Sequence, residues 1–302
     1  MKPAGGTEIL VNNLNKFTAI TDYDNLNVIP SFCSPEFMVA NKTNIVWQHN
    51  MPDQPIVRGM YDKNFVQSVD HFVYVSEYQL SEYRKLFDLT NTSNRVIKNA
   101  IEPIEYKQKV KQDKLRLIYT SAPFRGLDIL IDAFKLLNRD DVELHVYSSN
   151  IIYGSEHSKM IGNRYEHLFH ACRKTDGIVY KGYAPNWKVR EALQEAHILA
   201  YPCTFAETSC LAAIEAGAAG CKIVTTDYGA LSETCSEYAT YVDYIQDRKK
   251  LTENYAEVLN KEVDNYWISD YNYKDQSDWF NDQYSWNNRA KEWNEFFNKV
   301  SI

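Results

Sequence analysis

The sequence lacks the marks of secretion and of membrane insertion. Its start, MKPAGGTEIL, has no basic stretch followed by an apolar one, so no signal peptide is expected. No run approaches the ~18 uninterrupted apolar residues that a membrane-spanning helix needs. None of the six cysteines, at positions 33, 172, 203, 210, 221 and 235, forms a CxxC pair. Set in apolar runs such as HILAYPC, they read as small hydrophobes in a reducing compartment, and a cytoplasmic location is expected. The sequons Asn41-Lys42-Thr43 and Asn91-Thr92-Ser93 carry no weight without secretion. Excess positive charge is also missing: 33 Lys and Arg face 40 Asp and Glu, a net charge of −7. No nucleic-acid partner is expected, while peripheral membrane contact through a local basic pocket stays open.

Several catalytic motifs are absent too. No GxGxxG follows a strand, no GxxxxGK(S/T) occurs, and no GxSxG elbow is present. Dehydrogenase, P-loop NTPase and serine hydrolase readings lose their main support. The DxD match, Asp22-Tyr23-Asp24, sits in a polar stretch that reads as loop. His167 and His170 are helically spaced but have no third ligand near them, so no metal is expected.

What is present is an alternation of apolar runs over 302 residues, 44% of them hydrophobic, enough for two domains with cores of their own. LRLIYTS (115–121), VELHVYS (142–148), GIVYKGY (177–183), HILAYPC (197–203) and CKIVTTD (221–227) read as strands. Between them, GLDILIDAFKLLN (126–138), NRYEHLFHACRK (163–174, after a long polar loop), NWKVREALQEA (186–196) and SCLAAIEAGAAG (209–220) read as helices. Strands alternating with helices of this length predict βαβ units and a doubly wound parallel sheet. Residues 1–106 read as a thinner version of the same α/β pattern. A helix opens at 5–17, strands are predicted at 44–49, 69–76 and 95–99, and a helix at 77–87 follows a Ser76 cap. The Pro-containing segment 100–114 connects this domain to one spanning 107–275, and 276–302 ends in a helix that is expected to pack back on the first domain.

The densest chemistry lies in YPCTFAETSCLAAIEAGAAGCKIVTTDYGALSE (201–233). Ligands of open α/β sheets bind just beyond the carboxyl ends of the strands, where Glu207 falls. A helix predicted to start near Ser209 would offer free N–H groups at Thr208 and Ser209 to an anion. Taken alone, Glu207 reads as a solvated loop carboxylate. Glu215 lies among alanines and glycine on a helix that is small and apolar almost all round, and therefore reads as buried.

These residues carry a resemblance. Glu207, seven residues, Glu215 and then GAAGCKIVTTDYGALSE resemble the E-x7-E signature of retaining GT-B glycosyltransferases, especially those of family 4. Gly220, Gly229 and Glu233 continue the match. VYVSEYQLSEYRKLFDL with RVIKNAIE, YTSAPFRGLDILIDAF, GGTEILVNNL and SWNNRAKEW resemble further passages of that family in the same order. The resemblance implies a GT-B fold: two Rossmann-like doubly wound domains facing a cleft. The N-terminal one would be reduced, by truncation or by nature, since only four residues precede Gly5.

It further implies a retaining, metal-independent glycosyltransferase that moves a sugar from a nucleotide-sugar donor, a co-substrate rather than a cofactor. The acceptor would be a glycan, a lipid-linked glycan or a protein. Carried over by position, His49 at the end of NIVWQH, Arg125 and Glu207 would be the catalytic group. Glu207 would hold sugar hydroxyls, Glu215 the ribose hydroxyls, and Arg125 the departing diphosphate. Gly5, Gly6, Gly126, Tyr183, Thr208 and Ser209 would complete the donor site. The family's additional Arg is replaced here by Thr120 or Ser121, so one cation serves where two are usual. The rival readings are a non-catalytic nucleotide-sugar or glycan-binding protein, and a nucleotide-sugar epimerase, of the same fold.

Overall fold

The computed structural model describes residues 5–153 and 162–301. Part of the long polar loop expected before residue 163 falls outside the described residues. In chain order the main elements are α1 (Gly6–Phe17), β1 (Leu26–Pro30), β2 (Thr43–Trp47), α2 (Lys63–Ser68), β3 (His71–Tyr74), α3 (Glu77–Leu86) and β4 (Ser93–Val96). There follow β5 (Leu115–Tyr119), α4 (Leu127–Leu137), β6 (Val142–Val146), α5 (Glu166–Lys174), β7 (Ile178–Tyr180), α6 (Asn186–Glu195) and β8 (Ile198–Tyr201). The chain closes with α7 (Leu211–Ala218), β9 (Lys222–Thr226), α8 (Leu231–Cys235), β10 (Ala239–Val242), α9 (Arg248–Asn265), α10 (Tyr273–Tyr284) and α11 (Trp286–Val300).

The chain divides into two compact units. The smaller holds Gly6–Glu102, Glu207–Leu211 and the segment from Asp282, and the larger holds Pro103–Ala206 and Ala212–Asn281. In the smaller unit four parallel strands pair in the order β1-β2-β3-β4. Most of their buried positions are β-branched or aromatic, such as Ile45, Val46, Trp47, Phe72 and Val73, as fits a parallel sheet covered on both faces. One core cluster joins Leu10 and Leu14 of α1 to Trp286, Trp293 and Phe297 of α11. Phe17 stacks on Trp286 with ring centroids 5.9 Å apart, and Trp47 meets the edge of Trp293 at 5.0 Å. The α3 helix begins as the Ser76 cap predicts, its hydroxyl accepting from the Gln79 N–H.

The larger unit carries six parallel strands in the order β10-β9-β8-β5-β6-β7. Read from β7 inward this is the 3-2-1-4-5-6 order of the doubly wound fold, with its switch point between β5 and β8. The inner positions of both switch strands are apolar, with Leu117, Ile118, Leu199 and Ala200 all buried. The irregular segment after Pro103 is pinned by Lys109, whose ammonium donates to Leu193 O, Gln194 O and Ala219 O at 2.8–2.9 Å. One buried cation thus satisfies carbonyls left open at the ends of α6 and α7. All six cysteines are buried free thiols. No helix among the described residues is long and apolar enough to cross a membrane.

Boundaries differ from the sequence reading in specific places. His49 does not end a strand: β2 stops at Trp47. The strand predicted at 95–99 is Ser93–Val96, and the helix predicted from Ser209 begins at Leu211. Thr208 and Ser209 therefore precede the first turn of α7 and do not supply its first N–H groups.

Candidate active site

In the larger unit, the loops leaving β5 and β8 meet at the switch point. The β5 loop turns sharply: Tyr119 Oη donates to Ala122 O at 2.6 Å, and the Arg125 N–H donates to Ala122 O at 3.1 Å. Gly126 then takes φ 101°, and a Cβ there would sit 2.0 Å from Pro202 O of the β8 loop. Only glycine fits on both counts. Thr204 Oγ1 donates to Phe124 O at 3.5 Å, a second tie between the loops.

This turn fixes Arg125. Its guanidinium lies 4.5 Å above the centroid of Phe205 and 5.6 Å from that of Phe124, a pairing that orients a planar cation. Gly126 is also the residue ahead of α4, and that helix has no side-chain cap. Uncapped N–H groups and a fixed guanidinium therefore sit side by side, the combination that binds phosphate oxygens. Ser121, one of the two positions (with Thr120) where the resemblance leads one to expect a second cation, is buried with its hydroxyl 3.4 Å from Tyr201 Oη.

Glu215 occupies the middle of α7, its neighbours Ala213, Ile214, Ala216 and Gly217 buried. Asn186, the first residue of α6, donates from Nδ2 to Glu215 Oε1 at 2.9 Å and to Oε2 at 3.3 Å. Burial pushes the carboxyl above its ordinary value, and the Asn186 amide with the more distant Arg190 charge offsets only part of this. The partner of the half-buried Glu215 is thus the amide of a half-buried residue, which leaves acceptor lone pairs for ligand hydroxyls. Tyr183 is half-buried on the loop after β7, and no hydrogen bond or ring contact among the described residues ties it to Arg125 or Glu215.

The smaller unit gathers a second group. Glu207 is only 3% exposed, and Thr208 and Ser209 are also buried, which corrects the reading of Glu207 as a solvated carboxylate. Thr208 Oγ1 donates to His49 O at 2.9 Å. His49 packs on Trp47 with centroids 4.4 Å apart, and its Nδ1 lies 3.3 Å from Ser31 Oγ. Its Nε2 is buried with no partner among the described residues. Burial lowers its pKa to about 3, so the ring is neutral at physiological pH. Ser31 itself holds φ 67°, a conformation that costs a non-glycine residue about 1–3 kcal/mol and collects at functional sites. Gly6 opens α1, and a Cβ there would come 3.1 Å from Leu211 Cδ1. Gly5, the residue before it, is buried and belongs to the larger unit. Neither Asn186 nor Ser31 is visible as a site residue in the sequence, since no motif or spacing marks them. Among the described residues, no group of three or more His, Cys, Asp or Glu is placed to hold a metal.

The comparisons agree with this architecture. The chain is similar in structure to the pneumococcal O-GlcNAc transferase GtfA in complex with UDP and GlcNAc, at TM-score 0.59 and 14% identity over 86% of this chain and 53% of that one. The Anabaena protein HepE in complex with UDP and glucose matches at TM-score 0.69 and 12% identity, over 86% and 73% of the two chains. Sucrose-phosphate synthase from Thermosynechococcus elongatus matches at TM-score 0.70 and 15% identity, over 97% and 78%. The chain thus spans about half the length of the first of these and about three quarters of the others. No curated protein matches the sequence. The model of the family "Glycosyl transferases group 1" matches residues 102–275, more than half of the chain. The chain belongs to the glycosyl transferases group 1 family.

Proposed function

We propose that this group 1 glycosyl transferase takes its sugar from a uridine diphosphate sugar and transfers it, with retention and without a metal, to a hydroxyl of a glycan, lipid-linked or protein acceptor. The observation that carries this reading is Arg125 fixed over Phe205 beside the uncapped start of α4 at the sheet's switch point. Breaking a sugar–phosphate bond places positive charge on the sugar ring and negative charge on the leaving diphosphate. A fixed guanidinium and helix N–H groups stabilise that diphosphate without reorganising. Glu215 accepts from ribose hydroxyls, Glu207 from sugar hydroxyls, and the neutral His49 offers Nε2 to the transferred sugar. Gly5 and Tyr183 in the larger unit, and Gly6, Thr208 and Ser209 in the smaller, are the further donor-binding residues of this reading. The UDP in complex with GtfA and HepE supports the choice of base.

Thermal unfolding in the presence of UDP, GDP or ADP tests the donor site. A ligand at 100 times its Kd adds about 2.7 kcal/mol of stability, so UDP should raise Tm and the other two should raise it less. If no nucleotide stabilises the chain, the reading fails. Thr120 or Ser121 in place of a second cation favours one rival, a nucleotide-sugar binder without turnover. Nucleotide stabilisation with no sugar release from any donor would select that rival.

A further inference from the structure

At the amino end of β9, at the opposite end of the parallel strands from the loop that carries Arg125, a depression of about 370 Å³ is lined by Lys222, Glu262, Asn265, Tyr266, Tyr271 and Tyr273, among others. That volume is within the ~300–1,000 Å³ range of small-molecule sites. Its walls are fixed. Tyr271 Oη donates to Gln276 Oε1 at 2.8 Å, and the fully buried Gln276 donates in turn to Gly217 O and Cys221 O at 3.1 and 2.8 Å. Tyr273 packs on Tyr266 with centroids 5.1 Å apart and on Tyr271 at 4.8 Å.

The polar groups have capacity to spare. The Lys222 ammonium stands 4.5 Å over the Tyr271 ring and 3.6 Å from Glu262 Oε2, with its side chain only 13% exposed. No acceptor among the described residues lies within hydrogen-bond distance of it, so its three N–H groups are available. Glu262 accepts one hydrogen bond, from Thr240 Oγ1 at 2.9 Å, and keeps lone pairs on both oxygens. Tyr266 is 4% exposed and its hydroxyl has no partner among the described residues.

The geometry points to a second, non-catalytic saccharide site that holds one neutral pyranose unit in this depression. An ammonium and a carboxylate side by side suit hydroxyl groups, which accept from the first and donate to the second. An anion would meet the Glu262 charge, and an apolar ligand would strip water from an ion pair without replacing it. Rigid tyrosine rings supply apolar faces for the C–H surface of a sugar ring. The inference concerns only the larger unit and does not depend on donor turnover, so the two can fail separately.

The test is saturation-transfer NMR on the full chain with the methyl glycosides of glucose, galactose, mannose and N-acetylglucosamine, and separately a titration with inorganic phosphate. At least one glycoside should receive saturation from tyrosine protons, and its affinity should fall about tenfold or more in Lys222→Met. Asn265→Trp, at an exposed helix end, should fill the depression and have the same effect without risk to the fold. Both variants should keep the response to UDP that the unaltered chain shows. Absence of transfer to all four glycosides, transfer unchanged in both variants, or a response to phosphate alone would each overturn the proposal.

Discussion

Asn186 Nδ2 lies 2.9 Å from Glu215 Oε1 and 3.3 Å from Oε2, so a single amide spans both oxygens of a carboxylate that burial disfavours. The fold therefore favours the protonated form of Glu215 more than the unfolded chain does. A raised carboxyl value makes folding stability fall as pH rises from the ordinary carboxylate range through the raised one. Glu215→Gln removes that charge. The variant should be more stable than the unaltered chain at pH 7 and no more stable at pH 4, by thermal unfolding at the two values. The same variant should bind UDP at least tenfold more weakly, about 1.4 kcal/mol, by calorimetry. A site retained for a ligand at a cost in stability shows this opposition.

His49 gives the opposite sign. Its pKa is lowered by burial to about 3, below the ~6.5 of an unfolded histidine. Its contribution to stability is full above that ordinary value and is lost as pH falls toward 3. His197, lowered by burial to about 4, adds to the same trend. The imidazole resonances of His49 should show no titration between pH 5 and 8, and His49→Gln should lose less stability between pH 7 and pH 4 than the unaltered chain. Activity between pH 5 and 8 should carry no inflection from His49. An NMR midpoint near 6.5 would contradict its placement.

The larger sheet is legible in the sequence because its strands are short, mainly apolar and separated by strongly periodic helices. Leu115–Tyr119, Val142–Val146 and Lys222–Thr226 fall inside the runs that predict them. The pattern does not reveal β1, since LNVIP is brief, starts beside asparagines and ends in proline. Nor does it single out β10 and α9, where polar residues face outward and only spaced positions such as Leu251, Tyr255 and Leu259 are buried. Glu207 shows a different limit. Residue type alone favours exposure, and only the tertiary fold around the β8 loop buries it. The positions of Asn186 and Ser31 depend on contacts with distant residues, which no local pattern encodes.

Gly126 links fold and site most tightly. Alanine there would have to hold φ 101° with its Cβ 2.0 Å from the Pro202 carbonyl oxygen. The loop must move, and Arg125 with it. Gly126→Ala should cost about 1–3 kcal/mol or more in urea unfolding and abolish UDP stabilisation. A variant of unchanged stability with unchanged nucleotide binding would show that the turn is not what positions the guanidinium.

The most direct test is release of UDP from a panel of UDP-sugars by the unaltered chain, Arg125→Lys and Arg125→Ala, followed as product over time. The unaltered chain should turn over one donor, and kcat should be lower by about 10²–10³-fold in Arg125→Ala, the usual cost of losing one group that stabilises developing charge. Arg125→Lys should fall between them, keeping the charge but not the planar fork. Turnover in Arg125→Ala within threefold of the unaltered chain, or no turnover of any donor by a chain that binds UDP, would contradict the proposed function.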